Sequence, residues 1–327
     1  MKEYKIINQM GMRCFDVCLF TIINEQYGEY KLALANAFCI NYQKDKHFKI
    51  GDKLTFPHYT IKLVKLTYGL KILCKKKIMH KSLQNFINNQ IDNGSPIIIS
   101  MDVYDCYWSS LYKKVHQTHY FLACGKSESH YICCDPYYHI NKMEIEIQLL
   151  LKLTKKAYNI SKCKTISINR QNDMSVDRSI KMMHKSKVIL SLNKLLDTLM
   201  EMDSLENEYY LTGESDFWLS TFYQAVGYYI PGGRLLFASY LEEINIFYKN
   251  ECITDLQEKY NFLYKHWITI SNLLMKSYMM KNYTLKKETI INMIKHAVEY
   301  EKKLMISVIS CLSNIKITEE VTKFNKS

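Results

Sequence analysis

Hydrophobic positions change their spacing about half-way along the chain. From residue 186 onward they recur every three to four residues. In SKVILSLNKLLDTLMEM (186–202) the repeat runs through Ile189, Leu192, Leu196 and Leu199, the spacing of a helix with one apolar face. Segments 233–250, 255–280 and 286–312 repeat the pattern, so the second half is predicted to be all-helical. The first half is mixed. Cys14, Val17, Cys18, Ile22 and Ile23 predict an amphipathic helix over 14–26 with Gly28 as its stop. YTIKLVKL (59–66) and LKILCKK (70–76) alternate as strands do, and SLQNFINNQIDNG (82–94) has a serine start and a glycine end, predicting a short helix. PIIISMDVY (96–104) predicts a buried strand, and HYFLACGKSESHYICCDP (119–136) a hairpin around the GKSES turn.

These elements place an α+β domain at 1–172 and a helical domain at 173–327, with the boundary in the polar stretch NRQNDMSVDRS (169–179). The helical half is a candidate lid or dimerisation region. Its aromatic stretch DFWLSTFYQAVGYY (216–229) could cover a site, although an ordinary helix core explains it residue by residue.

Composition narrows the classes. The 327 residues are 48% hydrophobic and 23% charged, with only 4 Pro and 10 Gly, as in soluble globular proteins. No apolar run approaches the roughly 20 residues that span a bilayer. MKEYKIINQMG lacks the apolar core of a secretory signal. A cytoplasmic protein without a membrane role is expected. The 11 cysteines are then expected to be reduced thiols, mostly filling the core. No CxxC pair supports zinc, and His116 and His119, spaced HxxH on a strand, lack further ligands. No metal is expected. The net charge of +12 suits an acidic partner. Without an arginine-rich motif, zinc finger or aromatic RNA-binding signature, nucleic acid is not the expected one.

One set of residues carries chemistry. A cysteine nucleophile needs a base for its proton and donors for a developing oxyanion. Cys14 falls where the first helix begins, and helix N-termini favour thiolate. His119 stands at the start of an apolar strand. Asp135 ends the next strand, so the two approach one another across the hairpin, where the carboxylate can orient the imidazole. Gln9 or Asn8 could donate to the oxyanion, together with the Cys14 backbone N–H.

QMGMRCFDVCL, GSPIIISMDVYDCYW and HQTHYFLACGKSESHYICCDPYY resemble the papain-like fold of bacteriocin-processing peptidases. They are closer still to the amino-terminal domain of the butirosin-biosynthesis acyltransferase BtrH. IPGGRLLFASYLEEI (230–244) resembles a segment of that group's carboxy-terminal helical region. Two departures stand out. The family places glutamine six residues before the cysteine, where this chain has Asn8 and carries Gln9 one residue closer. The glycine that usually follows the nucleophile is Phe15 here. The resemblance implies a papain-like catalytic domain with a Cys14–His119–Asp135 triad and no cofactor of its own. It implies acyl transfer from the phosphopantetheine thioester of an acidic acyl or peptidyl carrier protein to a small-molecule amine. Such amide formation occurs in thiotemplated natural-product (antibiotic) assembly, that of closthioamide included. A peptidase or thioesterase with the same triad, or a non-catalytic binding module on the same scaffold, is the alternative. Exposed helical faces are compatible with a homodimer.

Overall fold

The computed structural model describes residues 4–43, 49–57, 61–76, 80–209 and 219–324. The protein is mixed α and β, and its chain divides into two compact units. One comprises Met1–Tyr30 with Ile61–Ile166, the other Lys31–Thr60 with Ser167–Ser327.

The first unit is built on a six-stranded sheet: β1 (Leu70–Lys76), β2 (Ile97–Asp102), β3 (Thr118–Lys126), β4 (His130–Asp135), β5 (Ile140–Glu146) and β6 (Lys156–Lys162), in the order β1-β6-β2-β3-β4-β5. Every pairing is antiparallel. Among the described residues its α-helices are α1 (Cys14–Gln26), α2 (Ile61–Tyr68), α3 (His80–Asp92) and α4 (Ile147–Leu153). Strand alternation sorts the two faces. On one face Ile97, Ile99, Phe121, Ala123 and Cys133 pack with Leu83 and Ile87 of α3 and Leu150 and Leu151 of α4. On the other, Phe15 of α1 sets its ring edge-on to Tyr120 and Tyr158, both centroids at 5.2 Å. Phe15 therefore anchors the start of α1 to the sheet.

The predicted helix over 14–26 is present, but it is not one-sided. Asp16 through Ile23 are all buried, as expected of a helix apolar on every side. It ends with Gly28 at φ +113°, whose N–H reaches the Ile23 carbonyl at 3.1 Å. The strand expected over 59–66 is replaced by α2, residues 58–60 lying outside the described ones. Leu63, Val64, Thr67 and Tyr68 are its buried residues, a spacing of one helical face that a short alternating window cannot tell from a strand. β1, β2, α3 and the hairpin β3–β4 stand close to expectation. β5, α4 and β6 were not anticipated. The two strands are mostly polar in sequence, because β5 exposes one face and only the centre of β6 is buried.

The second unit contains α5 (Ile168–Lys185), α6 (Val188–Glu201), α7 (Ile230–Tyr248), α8 (Glu251–Met279) and α9 (Tyr283–Phe324). The expected boundary at 172/173 falls inside α5. Its buried residues are Asn172, Ser175, Val176, Ser179 and Met183, so small polar side chains make a core stripe read as a linker. The unit is also not wholly helical, since Asn41–Tyr42 pairs with Leu54–Thr55. Segment 31–60 belongs here because it fills the helical core. Leu32 through Ile40 are all at most 2% exposed. Phe38 meets Phe237 at 5.0 Å, and the Tyr42 N–H donates to Ser191 Oγ at 3.0 Å. Gly51 packs against the backbone of Thr221 and Phe222, which leaves no room for a Cβ. Of the aromatic stretch at 216–229, Tyr223–Tyr229 forms a π-helical turn burying Ala225, Val226 and Gly227, and 216–218 lie outside the described residues. Among the described residues no helix is long and apolar enough to cross a membrane.

Candidate active site

The sheet brings His119 and Asp135 together. Leu122 pairs with Cys134, so continuing that register sets Asp135 opposite Phe121 and diagonal to His119 on one face. A register irregularity between Cys133 and Asp135 on the β5 side bends the strand where it ends, a common device for aiming a side chain. His119 Nε2 lies 2.6 Å from Asp135 Oδ2, with His119 4% and Asp135 0% exposed.

Cys14 is the first residue of α1, half-buried, with its thiol free. The thiol interacts with the His119 imidazole. Since Nε2 faces Asp135, Nδ1 is the nitrogen left for sulfur. Burial works against the charged ring, yet the bonds to Asp135 and then to Cys14 outweigh it and raise His119 to about 9. A ring so raised holds its proton at neutral pH. The three residues expected to form the triad thus meet at one place within the first unit.

The two amides take different positions. Asn8 Nδ2 donates to the Tyr137 carbonyl at 2.9 Å and the Pro136 carbonyl at 3.4 Å. Both of its protons are spent on the turn that follows Asp135. Gln9 opens a tight turn in which the Met12 N–H reaches its carbonyl at 3.1 Å. Gly11 supplies the φ of +92° that this turn requires. Gln9 Oε1, an acceptor, is buried without a hydrogen-bond partner among the described residues. Of the two candidates, Asn8 is the one whose amide donors are taken up by the turn.

Asp16 holds the N-terminus of α1, accepting the Arg13 N–H at 3.2 Å. Burial pushes its carboxyl up to about 7 against the opposing pull of Arg13. The HxxH pair splits: His116 Nδ1 lies 3.3 Å from Asp102 Oδ2 and its ring stacks on Tyr104 at 4.2 Å, while His119 faces Asp135. Among the described residues no group of three or more His, Cys, Asp or Glu is placed to hold a metal ion. All eleven cysteines are free thiols, and Cys18, Cys39, Cys106, Cys133, Cys134 and Cys311 are buried.

One neighbour was not read from the sequence. Trp108 Nε1 donates to Asp135 Oδ2 at 2.7 Å. It stands 27 residues before its partner in a loop without periodicity. Its only signal was an indole in a polar stretch, where the N–H needs an acceptor if buried. Compared with known proteins, the chain matches no family model and no curated sequence.

Proposed function

We propose that this chain is a cysteine-dependent acyltransferase on a papain-like scaffold, acting in the cytoplasm in natural-product assembly. It moves an acyl group from the phosphopantetheine thioester of an acidic carrier protein to a small amine. The observation that carries the reading is the buried His119–Asp135 bond of 2.6 Å with the Cys14 thiol acting on the same imidazole. The sequence resemblance to BtrH-type acyltransferases selects acyl transfer, and the +12 charge suits an acidic carrier.

In this mechanism Cys14 Sγ attacks the thioester carbonyl while its proton rests on His119. Asp135 orients the ring and balances the imidazolium. The Cys14 backbone N–H and the Gln9 side-chain amide donate to the tetrahedral oxyanion. The intermediate collapses, the pantetheine sulfur leaves with the proton from His119, and an acyl-Cys14 thioester remains. An amine then attacks that carbonyl and gives its proton to His119. The second intermediate expels the Cys14 sulfur, which recovers the proton, and the amide departs.

Intact-protein mass spectrometry after incubation with acylated carrier tests this directly. The wild-type protein should gain the mass of the acyl group, lose it on addition of amine with amide formed, and show no gain as Cys14→Ala. Turnover without an adduct, or turnover retained in Cys14→Ala, overturns covalent catalysis. Release as free acid despite abundant amine assigns a thioesterase or peptidase instead.

The oxyanion assignment gives a second expectation. Gln9→Ala should lower kcat by about 10²-fold with little change in KM, as loss of one oxyanion donor does elsewhere. Asn8→Ala, which only frees the turn at Pro136 and Tyr137, should cost less. Steady-state kinetics of the two variants decide it, and a larger loss in Asn8→Ala reverses the assignment.

A further inference from the structure

The carboxylate of Asp135 is ringed by donors. Oδ1 accepts the backbone N–H of Tyr137 at 3.1 Å and of Tyr138 at 3.3 Å. Oδ2 accepts Trp108 Nε1 at 2.7 Å on one side and faces His119 Nε2 at 2.6 Å on the other. Three of these four are donors that can never accept. Only His119 could receive a proton from Asp135, and it would have to come off Oδ2, the oxygen that Trp108 also engages. The loop carrying Trp108 is itself held to this turn. Ser109, next in sequence, donates through Oγ to the Tyr138 hydroxyl at 2.8 Å. The indole packs edge-on against Phe121 at 5.3 Å and Tyr107 at 5.0 Å.

We propose that Trp108 is a positioning residue of this site. Its indole N–H keeps Asp135 Oδ2 an acceptor, so that the shared proton stays on His119 Nε2 and Nδ1 stays turned to Cys14. This inference rests on the acyl-transfer reading only for its effect on turnover. Its effect on the imidazole is read separately.

The sign follows from charge. Protonated His119 with ionised Asp135 is a neutral pair, and deprotonation leaves a net negative one. A donor on Oδ2 favours the negative pair. Its removal therefore favours the imidazolium and moves deprotonation of His119, near pH 9, upward. The other titratable groups around the pair do not obscure this. Burial first, and the neighbouring acids and thiols after it, push the Cys18 and Cys133 thiols well up and Cys106 to about 12. Burial also raises the Tyr138 phenol. Cys14 is the group whose alkylation is measured, and Cys134, on β4 beside Asp135, belongs to the buried thiols.

The experiment is the pH profile of Cys14 alkylation by iodoacetamide, followed by the mass and fragmentation of the peptide carrying Cys14, since Cys74, Cys163 and Cys252 are also exposed thiols, in the wild type and Trp108→Phe, which keeps a ring against Phe121. The alkaline limb should move up by about half a unit to one unit. With carrier substrate, kcat should fall about tenfold at unchanged KM. In an Asp135→Asn background the same change should add less than twofold, because a residue acting through Asp135 has nothing left to act on. Site-specific replacement of Trp108 by benzothienylalanine, with sulfur in place of the indole N–H, gives the same readout at constant shape should the phenylalanine variant not fold. A profile superposed on the wild type's, or losses that multiply fully in the double variant, overturns the role of Trp108. A shifted profile in a protein that never acylates Cys14 leaves Trp108 in place and overturns the acyl-transfer reading instead.

Discussion

Replacement of His119 by alanine is expected to slow acylation of Cys14 by on the order of 10⁴-fold, the scale of losing an essential triad member. The structure sets the imidazole against both Cys14 and Asp135. In the proposed mechanism the attacking sulfur would then have no proton acceptor and the departing pantetheine sulfur no donor. Because its folded value of about 9 lies above the free value of 6.5, the imidazolium stabilises the folded protein fully below about pH 6.5. That contribution fades as pH rises through 9, and amounts to about 3 kcal/mol. Acylation should therefore fall off above pH 9 in the wild type, and this limb should vanish in the variant. The variant should still fold, since Asp135 keeps three donors, from Trp108, Tyr137 and Tyr138. Rapid-quench acylation read by mass, with urea unfolding at pH 6 and pH 9.5, provides both measurements. A variant within tenfold of the wild type removes His119 from the mechanism.

The second large effect is expected in the helical unit. Arg234 of α7 and Glu301 of α9 are both 0% exposed, and Arg234 Nη2 lies 2.6 and 2.7 Å from the two carboxylate oxygens. Arg234 Nη1 also donates to the Ile230 carbonyl at 3.0 Å. Truncating Glu301 to alanine leaves a guanidinium buried without its counter-charge. Stability should drop by about 3–5 kcal/mol. The double change Arg234→Met with Glu301→Leu removes both charges and should recover most of that loss, because two charges taken out of water offset much of their own attraction. Urea unfolding of the two variants tests this. A loss under about 1 kcal/mol in Glu301→Ala, the scale of an exposed pair, would mean that water reaches the guanidinium.

What the sequence alone determined is what depends on local spacing. The helices of the second half, the strands around 70–76, 97–102 and 118–135, and the start of α1 at Cys14 follow from periodicity and from glycine stops. The triad candidates were legible for the same reason. A hairpin's geometry is local, so a histidine near the start of one strand and an aspartate at the end of the next must approach each other.

Only tertiary structure decided the rest. α2 read as a strand because eight residues hold two turns of either pattern, and the choice depended on what Leu63 and Tyr68 bury against. α5 read as a linker because its core stripe is small and polar. The buried run Leu32–Ile40 gave no hint that it belongs with helices such as the one carrying Ser191, 151 residues beyond Ile40. Asn8 and Gln9 are adjacent in sequence with similar side chains. They were separated only by the carbonyls of Pro136 and Tyr137, which take up Asn8 alone. Trp108 was invisible for the same reason, since a single hydrogen bond between a loop and a strand end leaves no periodic trace along the chain.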